Sequence, residues 1–391
     1  MISKQDTLNI EKKIKNIINL YNQKHFKDVI FYGNKYITDH PNVINFYNIV
    51  AVVEAELGML DDALKKFKKI IKLNPTFHEA YNNIGNILLK KDKIDEAIAS
   101  YKKVLTLNVY DLDANYNLGL SYSKKNKIDI AIAYYKKVIN LNAKYHKAYL
   151  NLGIELDKKE TYLEAIEVYK KAIPISPNIT EIHFNLGIVN KKLGLFDIAL
   201  ENYDKAITLN PNYSEAIFNK SLILLAKCNY KHGWLLYEAR WKTKEFPSKY
   251  LDKKEWIPTI KNKVLLWAEQ GIGDEIMFAS LINEFQSLCE HLCVLIDKRL
   301  IKLFNRSFNK KIKFYDKKEE VSNEEYDVQI SMGNLCKYLR KNKIDFKKGN
   351  LQYLYSDKKK NYLISKYLNR NHKKKLCGIS WFTSNTNSGK D

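Results

Sequence analysis

The stretch Tyr81-Asn82-Asn83-Ile84-Gly85 returns three times at a constant spacing of 34 residues, as Asn115-Tyr116-Asn117-Leu118-Gly119, Tyr149-Leu150-Asn151-Leu152-Gly153 and His183-Phe184-Asn185-Leu186-Gly187. Six consecutive units fit this period without insertion, at residues 10–43, 44–77, 78–111, 112–145, 146–179 and 180–213. A seventh, atypical unit begins at Ser214. A fixed period of this length is typical of repeat architectures, in which each unit is one supersecondary element.

Each unit has the composition of two amphipathic helices joined by a short turn. Small residues recur where the two helices must approach closely, in the first helix at Ala51, Gly85, Gly119, Gly153 and Gly187, and in the second at Ala63, Ala97, Ala131, Ala165 and Ala199. Aromatic residues fill the space between the helices at Phe67, Tyr101, Tyr135, Tyr169 and Tyr203. Prolines end the units at Pro41, Pro75, Pro177 and Pro211, because a missing N–H stops a helix.

This pattern resembles the tetratricopeptide-repeat (TPR) family over more than half of the chain. One helical hairpin cannot bury its own apolar face, so the units are expected to stack into a right-handed solenoid with a concave groove. The first unit has Ile17 and Val29 at the small positions and Gly33 at the aromatic one, as expected of a terminal cap. The seventh unit also departs, with Gly233 at the alanine position.

One column of the first helices is asparagine, at Asn83, Asn117, Asn151, Asn185 and Asn219. The solenoid of protein O-GlcNAc transferases, which these repeats resemble, carries such a ladder in its groove and uses it to hold an extended peptide. An amide suits this role because it both donates and accepts hydrogen bonds. The alternatives are a polar contact between repeats, or the asparagine-rich composition of the chain.

After the repeats the periodicity changes. Residues 263–268 form a short apolar run that predicts a buried strand, followed by a turn at 269–274 and an amphipathic helix from Glu275 to about Glu290. Further strands are expected at 292–297, 311–316 and 326–332, with helices between them. Alternating strands and helices predict a parallel sheet covered on both faces.

The turn Gly271-Ile272-Gly273 could belong to a dinucleotide-binding motif, with Asp297 as the acid that binds the ribose. However, Ile276 stands where that motif has its third glycine. Asp274 and Glu275 at the start of the helix would also repel a pyrophosphate. These residues disfavour a nicotinamide or flavin site.

Two motifs resemble bacterial TPR-linked glycosyltransferases related to the ADP-heptose transferases: the stretch Trp267 to Ala279, and the preceding Gly233-Trp234-x-x-Tyr237-Glu238-x-Arg240-Trp241. The resemblance covers roughly residues 230–391 and implies a GT-B fold of two Rossmann units. It implies that Asp274 is the general base on the acceptor hydroxyl and that Gln270, Gly271 and Gly273 lie against the substrate. The alternative is that Asp274 only caps its helix.

Family members place phosphate-contacting residues after the first strand of the second Rossmann unit. That strand corresponds to residues 376–382, which makes Thr383 or Ser384, and Lys390, the matching positions. A helix is expected over 358–368. Because nearly all of the second unit is missing after Asp391, we expect a truncated transferase that is inactive alone.

The predicted fold is therefore an α-solenoid, the TPR superhelix, followed by the α/β Rossmann-like half of a GT-B fold. The predicted order is a tail at 1–9, the superhelix at 10–241 with an atypical capping repeat at 214–241, a linker at 242–262, a Rossmann-like subdomain at 263–370 and the start of a second at 371–391. The expected function is a protein-binding scaffold, with an active transferase completed by its missing half as the alternative. No cofactor is expected, apart from a nucleotide-sugar donor in a complete protein.

Composition leaves two further possibilities. The net charge of +22 favours nucleic-acid binding, but only five of the 66 basic residues are arginine, the side chain suited to reading phosphates and bases. Cys289, His291 and Cys293 are spaced closely enough for a metal site, yet no second ligand pair follows, so buried apolar cysteines are expected and no metal is predicted. The polar first 20 residues and the lack of a long apolar run predict a cytoplasmic chain without a membrane span.

Overall fold

The structure, a computed structural model, describes residues 4–243, 246, 253–259, 261–269, 271–347, 353–360 and 362. The chain divides into two compact units, Met1–Asn219 and Lys220–Asp391. Among the described helices, none has both the length and the apolar character needed to span a membrane.

Helices follow one another in pairs through the repeats. They are α1 (Lys4–Asn22), α2 (Phe26–Asp39), α3 (Ile44–Glu56), α4 (Leu60–Leu73), α5 (His78–Lys90), α6 (Ile94–Leu107), α7 (Leu112–Lys124), α8 (Ile128–Leu141), α9 (His146–Lys158), α10 (Tyr162–Ala172), α11 (Thr180–Lys192), α12 (Phe196–Leu209), α13 (Ser214–Ala226) and α14 (Tyr230–Tyr237). The predicted helical solenoid is confirmed, and α1 begins at Lys4, before the predicted start of the first repeat at residue 10.

The turn inside every pair contains one residue with a left-handed backbone. These residues recur every 34 positions, at Lys24, Gly58, Asp92, Asn126, Glu160, Gly194 and Cys228. The amide that follows bonds to a carbonyl five residues earlier, as from Lys93 to Leu88 at 2.9 Å. This is the bonding of a Schellman helix end, which caps the first helix and reverses the chain.

The small and aromatic columns predicted from the sequence meet inside each repeat. A Cβ added to Gly119 would lie 2.5 Å from Cε1 of Tyr135, and glycines 85, 153 and 187 face Tyr101, Tyr169 and Tyr203 in the same way. All four tyrosines are buried. Glycine is required here because the ring occupies the place of its side chain.

The second unit contains a four-stranded parallel sheet in the order β3-β2-β1-β4. Its elements are β1 (Lys263–Trp267), α15 (Ile272–Ala279), α16 (Ile282–Gln286), β2 (His291–Ile296), α17 (Lys298–Ser307), β3 (Lys313–Asp316), β4 (Val328–Ser331) and α18 (Leu335–Leu339), with 3₁₀ helices at Glu238–Lys242 and Lys343–Lys347. The four strands lie where the sequence predicts them. The single helix predicted from Glu275 to Glu290 is wrong, since α15 and α16 share that span.

The described helices do not cover both faces of the sheet. Val264 and Leu266 of β1 belong to one core with side chains of α15, α16, α17 and α18. Leu265 and Trp267 face the other way, into a smaller core with Trp241, Tyr315 and Tyr326. The prediction of helices between all strands is wrong at residues 317–327, which contain no helix, because a helical crossover needs a dozen or more residues.

Part of the predicted linker belongs to the sheet unit. Glu255 forms a parallel bridge with Gln329 of β4, and the Trp256 amide donates to the Gln329 carbonyl at 2.8 Å. The Trp256 side chain is 1% exposed and packs against Phe285. These residues therefore contribute to the core of the second unit.

Candidate functional site

The predicted asparagine column lies on the first helices of the repeats, on α5, α7, α9, α11 and α13, and all five side chains are half-buried. First helices of successive pairs contact one another, as α3 contacts α5 and α5 contacts α7. The asparagine column therefore lies on helices that contact one another from repeat to repeat.

Two of the amides bridge successive repeats. The Asn117 Nδ2 donates to Oδ1 of Asn86 at 3.0 Å and, less closely, to Oδ1 of Asn82 at 3.3 Å. The Asn151 Nδ2 donates to the hydroxyl of Tyr116 at 2.9 Å. Each partner lies in the preceding repeat, so at these positions the asparagine forms the polar contact between repeats that was the alternative interpretation of the column.

The other three amides are placed differently. Asn219 accepts from Nζ of Lys191 at 2.5 Å and donates to the carbonyl of Glu215 in its own helix at 2.9 Å. Asn83 and Asn185 form no side-chain hydrogen bond with any residue that the structure describes. Both groups of these two amides are therefore available to another molecule.

Asn83 lies beside a cavity of about 170 Å³ between α3 and α5. Val52, Ala55, Phe67 and Ile87 supply an apolar lining, and Asn83, Asn86, Glu56 and Lys90 supply polar groups. An apolar lining with a few polar groups is the usual chemistry of a binding pocket. Its polar and apolar groups were not predicted as a set, because they come from three helices.

In the second unit, Asp274 lies in the first turn of α15, after the carboxyl end of β1. Burial raises the pKa of its carboxyl, the hydrogen bond from the Gly271 amide opposes this, and the nearby charge of Glu269 adds to the rise in pKa. Asp274 lies in the first turn of α15, where a carboxylate complements the helix dipole, so its position also fits the capping alternative. The half-buried side chain also lines a crevice with Glu269 and Met332.

The remaining predicted substrate residues contribute less to the described site. Gly271 and Gly273 are exposed, and a Cβ at Gly273 would meet no described atom within 4 Å, so packing does not require glycine there. Gln270, Thr383, Ser384 and Lys390 lie outside the described residues, as does the predicted strand at 376–382.

The two sequence motifs at 233–241 and 267–279 meet at one buried ion pair. Arg240 donates from Nε and Nη2 to the two carboxylate oxygens of Glu269, at 2.8 and 2.7 Å, and its side chain is fully buried. Its Nη2 also donates to Oδ1 of Asn334 at 2.7 Å, and the Gly333 amide donates to Glu269 at 2.8 Å. The guanidinium lies over the rings of Tyr237 and Trp241. Neither Arg240 nor Glu269 was predicted as a site residue, because their pairing across 29 positions is visible only in three dimensions.

Asp297 does not offer a free carboxylate to a ribose. It caps α17 through the Arg299 amide at 3.0 Å and accepts from the Arg299 guanidinium at 2.8 and 2.9 Å. These bonds hold the pKa of Asp297 well below its ordinary value. The geometry therefore gives no support to a dinucleotide site.

The three candidate metal ligands near residue 290 are not brought together as a set. The thiol of Cys289 is buried among the helices on one side of the sheet and donates to the carbonyl of Phe285 at 3.3 Å. Cys293 belongs to the core on the opposite face. The buried apolar interpretation fits Cys289, and burial raises the pKa of this thiol to about 12.

Comparison with known families identifies the repeats. The tetratricopeptide repeat model matches residues 78–109 and 180–213, a second model of that description matches 112–145, and a TPR repeat model matches 158–194. The chain therefore carries tetratricopeptide repeats in this region. A search of curated proteins gave no match.

Solved structures similar to this chain include two that are described as TPR proteins. The C-terminal part of a TPR repeat-containing protein from Cytophaga hutchinsonii is 20% identical, with a TM-score of 0.51, and the match covers 60% of this chain and 96% of that one. YrrB, described as a TPR protein with an unusual peptide-binding site, is 24% identical with a TM-score of 0.42, covering 48% of this chain and 97% of YrrB. MamA is 27% identical with a TM-score of 0.40, covering 42% of this chain and 97% of MamA. The first of these supports the helical-repeat fold.

Proposed function

We propose that the repeats bind an extended polypeptide along their first helices, so that the chain acts as a protein-interaction scaffold. The observation that carries this proposal is the Asn83 amide, which has no partner among the described residues and lies beside the apolar cavity. Asn83 would pair with the peptide backbone, and the cavity would receive one side chain of the peptide.

The repeat spacing fits an extended ligand. Packed helices lie about 8–10 Å apart, and an extended chain rises about 3.3 Å per residue. Successive first helices would therefore contact every third residue of the peptide. An amide ladder pairs with any backbone, so sequence selection would come from the cavity and from the Glu56 and Lys90 charges at its rim.

The test uses peptides selected from a random-sequence display library against the full chain, with affinity measured by fluorescence anisotropy. Loss of one amide pairing is worth about 1–1.5 kcal/mol, so Asn83→Ala should weaken binding about 5- to 10-fold. Asn108→Ala, at an exposed asparagine where α6 ends, is the matched control.

Two results would count against the proposal. One is a selected peptide that binds the Asn83→Ala and Asn83→Ala/Asn185→Ala variants as tightly as the parent chain. The other is tight binding of an oligonucleotide with a steep salt dependence and no selectable peptide, which would instead support the nucleic-acid alternative.

We also propose, as a second function, that the carboxyl edge of β1 is the acceptor side of a sugar-transfer site. The buried Arg240–Glu269 pair supports this, because it joins the two transferase-like motifs beside Asp274. Ligands of open α/β sheets bind outside the carboxyl ends of the strands, where Asp274 lies. Asp274 would take the proton of the acceptor hydroxyl, and its raised pKa strengthens it as a base.

In this second function the nucleotide-sugar would be held by residues outside the described part, including Thr383 and Lys390. The assay is mass spectrometry of acceptor peptides incubated with nucleotide-sugars and the full chain. Asp274→Asn should lower transfer about 100-fold or more, while Asp297→Asn should not change it. Equal transfer by the parent and the Asp274→Asn chain would refute the assignment.

A further inference from the structure

Three side chains with different donor atoms converge at the amino-terminal edge of the sheet. His291 and Cys293 are two residues apart on β2, so their side chains lie on the same side of the strand. Glu325 reaches them from the connection between β3 and β4, and one ligand atom from each residue lies within 4.8 Å of the others. This set replaces the sequence-derived set of Cys289, His291 and Cys293.

We propose that His291, Cys293 and Glu325 form a zinc-binding site. Imidazole nitrogen, thiolate sulfur and carboxylate oxygen are the ordinary ligands of this ion, and three protein ligands leave its fourth position open to water. The ion replaces the thiol proton of Cys293, which passes to solvent when the metal binds. The site lies at the opposite edge of the sheet from Asp274.

The surroundings of Glu325 suit a metal-binding carboxylate. Its Oε2 accepts from the Tyr315 hydroxyl at 2.7 Å and from Nζ of Lys313 at 3.0 Å, which fixes the orientation of the carboxylate. Oε2 also lies 3.5 Å from Sγ of Cys293. Ligating carboxylates are typically held by such outer hydrogen bonds. The Lys313 ammonium offsets part of the negative charge that the thiolate and carboxylate bring together.

Solvent reaches the site at Glu325, whose side chain is 29% exposed, and a cavity of about 690 Å³ lies beside His291. His291 and Lys313 line this cavity, together with Lys310 and Lys311. A divalent ion can therefore reach the cluster from the side of Glu325 and His291, although the Cys293 thiol is buried. The lysines repel a cation, so we expect zinc to bind more tightly as salt screens them.

The experiment uses the full chain carrying Cys228→Ser, which removes the exposed thiol of residue 228, after treatment with a chelator. Zinc binding is measured by isothermal titration calorimetry, and cobalt is used as a spectroscopic substitute. We expect one tightly bound zinc per chain and a thiolate-to-cobalt charge-transfer band in the near ultraviolet. Cys293→Ala should abolish the band, and His291→Ala and Glu325→Gln should each weaken zinc binding at least about 10-fold.

Two further variants make the result specific. Cys336→Ala removes another buried thiol of this unit and should leave the band unchanged. Cys289→Ala should also leave it unchanged; loss of the band in this variant with retention in Glu325→Gln would overturn the proposed ligand set. The proposal also fails if the parent chain binds no more zinc than the Cys293→Ala variant, and tryptophan fluorescence verifies that each variant is folded.

Discussion

Replacing Arg240 with methionine should destabilise the second unit more than any surface substitution. The guanidinium is fully buried, and it provides two of the hydrogen bonds that Glu269 accepts. In Arg240→Met, a carboxylate whose side chain is 3% exposed keeps, among the residues that the structure describes, only the bond from the Gly333 amide. Removing one partner of a buried ion pair costs about 3–5 kcal/mol, so we expect a loss of this size.

The matched control is Arg340→Met. Arg340 is also buried and bonds to Glu284 at 2.7 Å, but the Glu284 side chain is 32% exposed and water can solvate it after the substitution. The loss should therefore be about 1–2 kcal/mol. In the double variant Arg240→Met/Glu269→Gln no buried charge is left alone, and the two changes should be non-additive by about 2 kcal/mol or more.

Fluorescence can follow this unit separately. All five tryptophans of the chain follow residue 219, at Trp234, Trp241, Trp256, Trp267 and Trp381. Urea unfolding monitored by tryptophan emission therefore reports on the second unit, while far-ultraviolet circular dichroism reports mainly on the repeat helices. If Arg240→Met costs no more than Arg340→Met, or if the double variant is additive, the ion pair does not hold the two motifs together as argued.

Other substitutions test the repeats and the acid response of the sheet unit. Gly119→Ala forces a Cβ into the Tyr135 ring and should cost about 1–3 kcal/mol by circular dichroism; an unchanged melting temperature would contradict the contact. Glu160→Gly relieves a left-handed backbone (φ 63°) and should stabilise the repeats by about 0.5–1 kcal/mol; a lower urea midpoint would show that the turn is not strained. Because the pKa of Asp297 is lowered in the fold, its negative charge stabilises the second unit at pH values above 3.8, the ordinary pKa of this side chain. This stabilisation is lost as the pH falls from 3.8 toward the lowered pKa. In Asp297→Asn the stability of the second unit should therefore fall less steeply as the pH is lowered. A stability profile parallel to that of the parent chain would refute the role of Arg299.

The repeats could be predicted from the sequence because their main contacts are local and periodic. The column that begins at Gly85 and the column that begins at Tyr101 are 16 residues apart in four successive units, and each glycine faces the tyrosine of its own repeat. The residues that recur periodically in the sequence are therefore the same residues that pack against each other in the structure. The roles of the individual asparagines could not be predicted, because the partner of Asn117 or Asn151 depends on which side chain the preceding repeat presents.

The second unit was less predictable because its decisive contacts join distant residues. The break between α15 and α16 was missed because Phe278, Leu281 and Phe285 are all buried, which preserves a helical pattern across Ser280. Arg240 can bond to Glu269 only after the folding of β1 has brought the Glu269 carboxylate into position. Similarly, Glu325 lies 32 positions from Cys293, so the spacing of cysteines could not reveal it.

The register of the sheet has a consequence for how the protein is made. Val264 in β1 pairs with Val328 in β4. After β1 has been synthesised, the ribosome must therefore add more than sixty further residues before β4 can pair with it. In contrast, each of the four helical pairs from α5 to α12 has its glycine and tyrosine contact as soon as it is synthesised. We therefore expect the repeats to fold during translation, while the half-made sheet, with its apolar strand β1 unpaired on one edge, is the stage most exposed to chaperones and to aggregation.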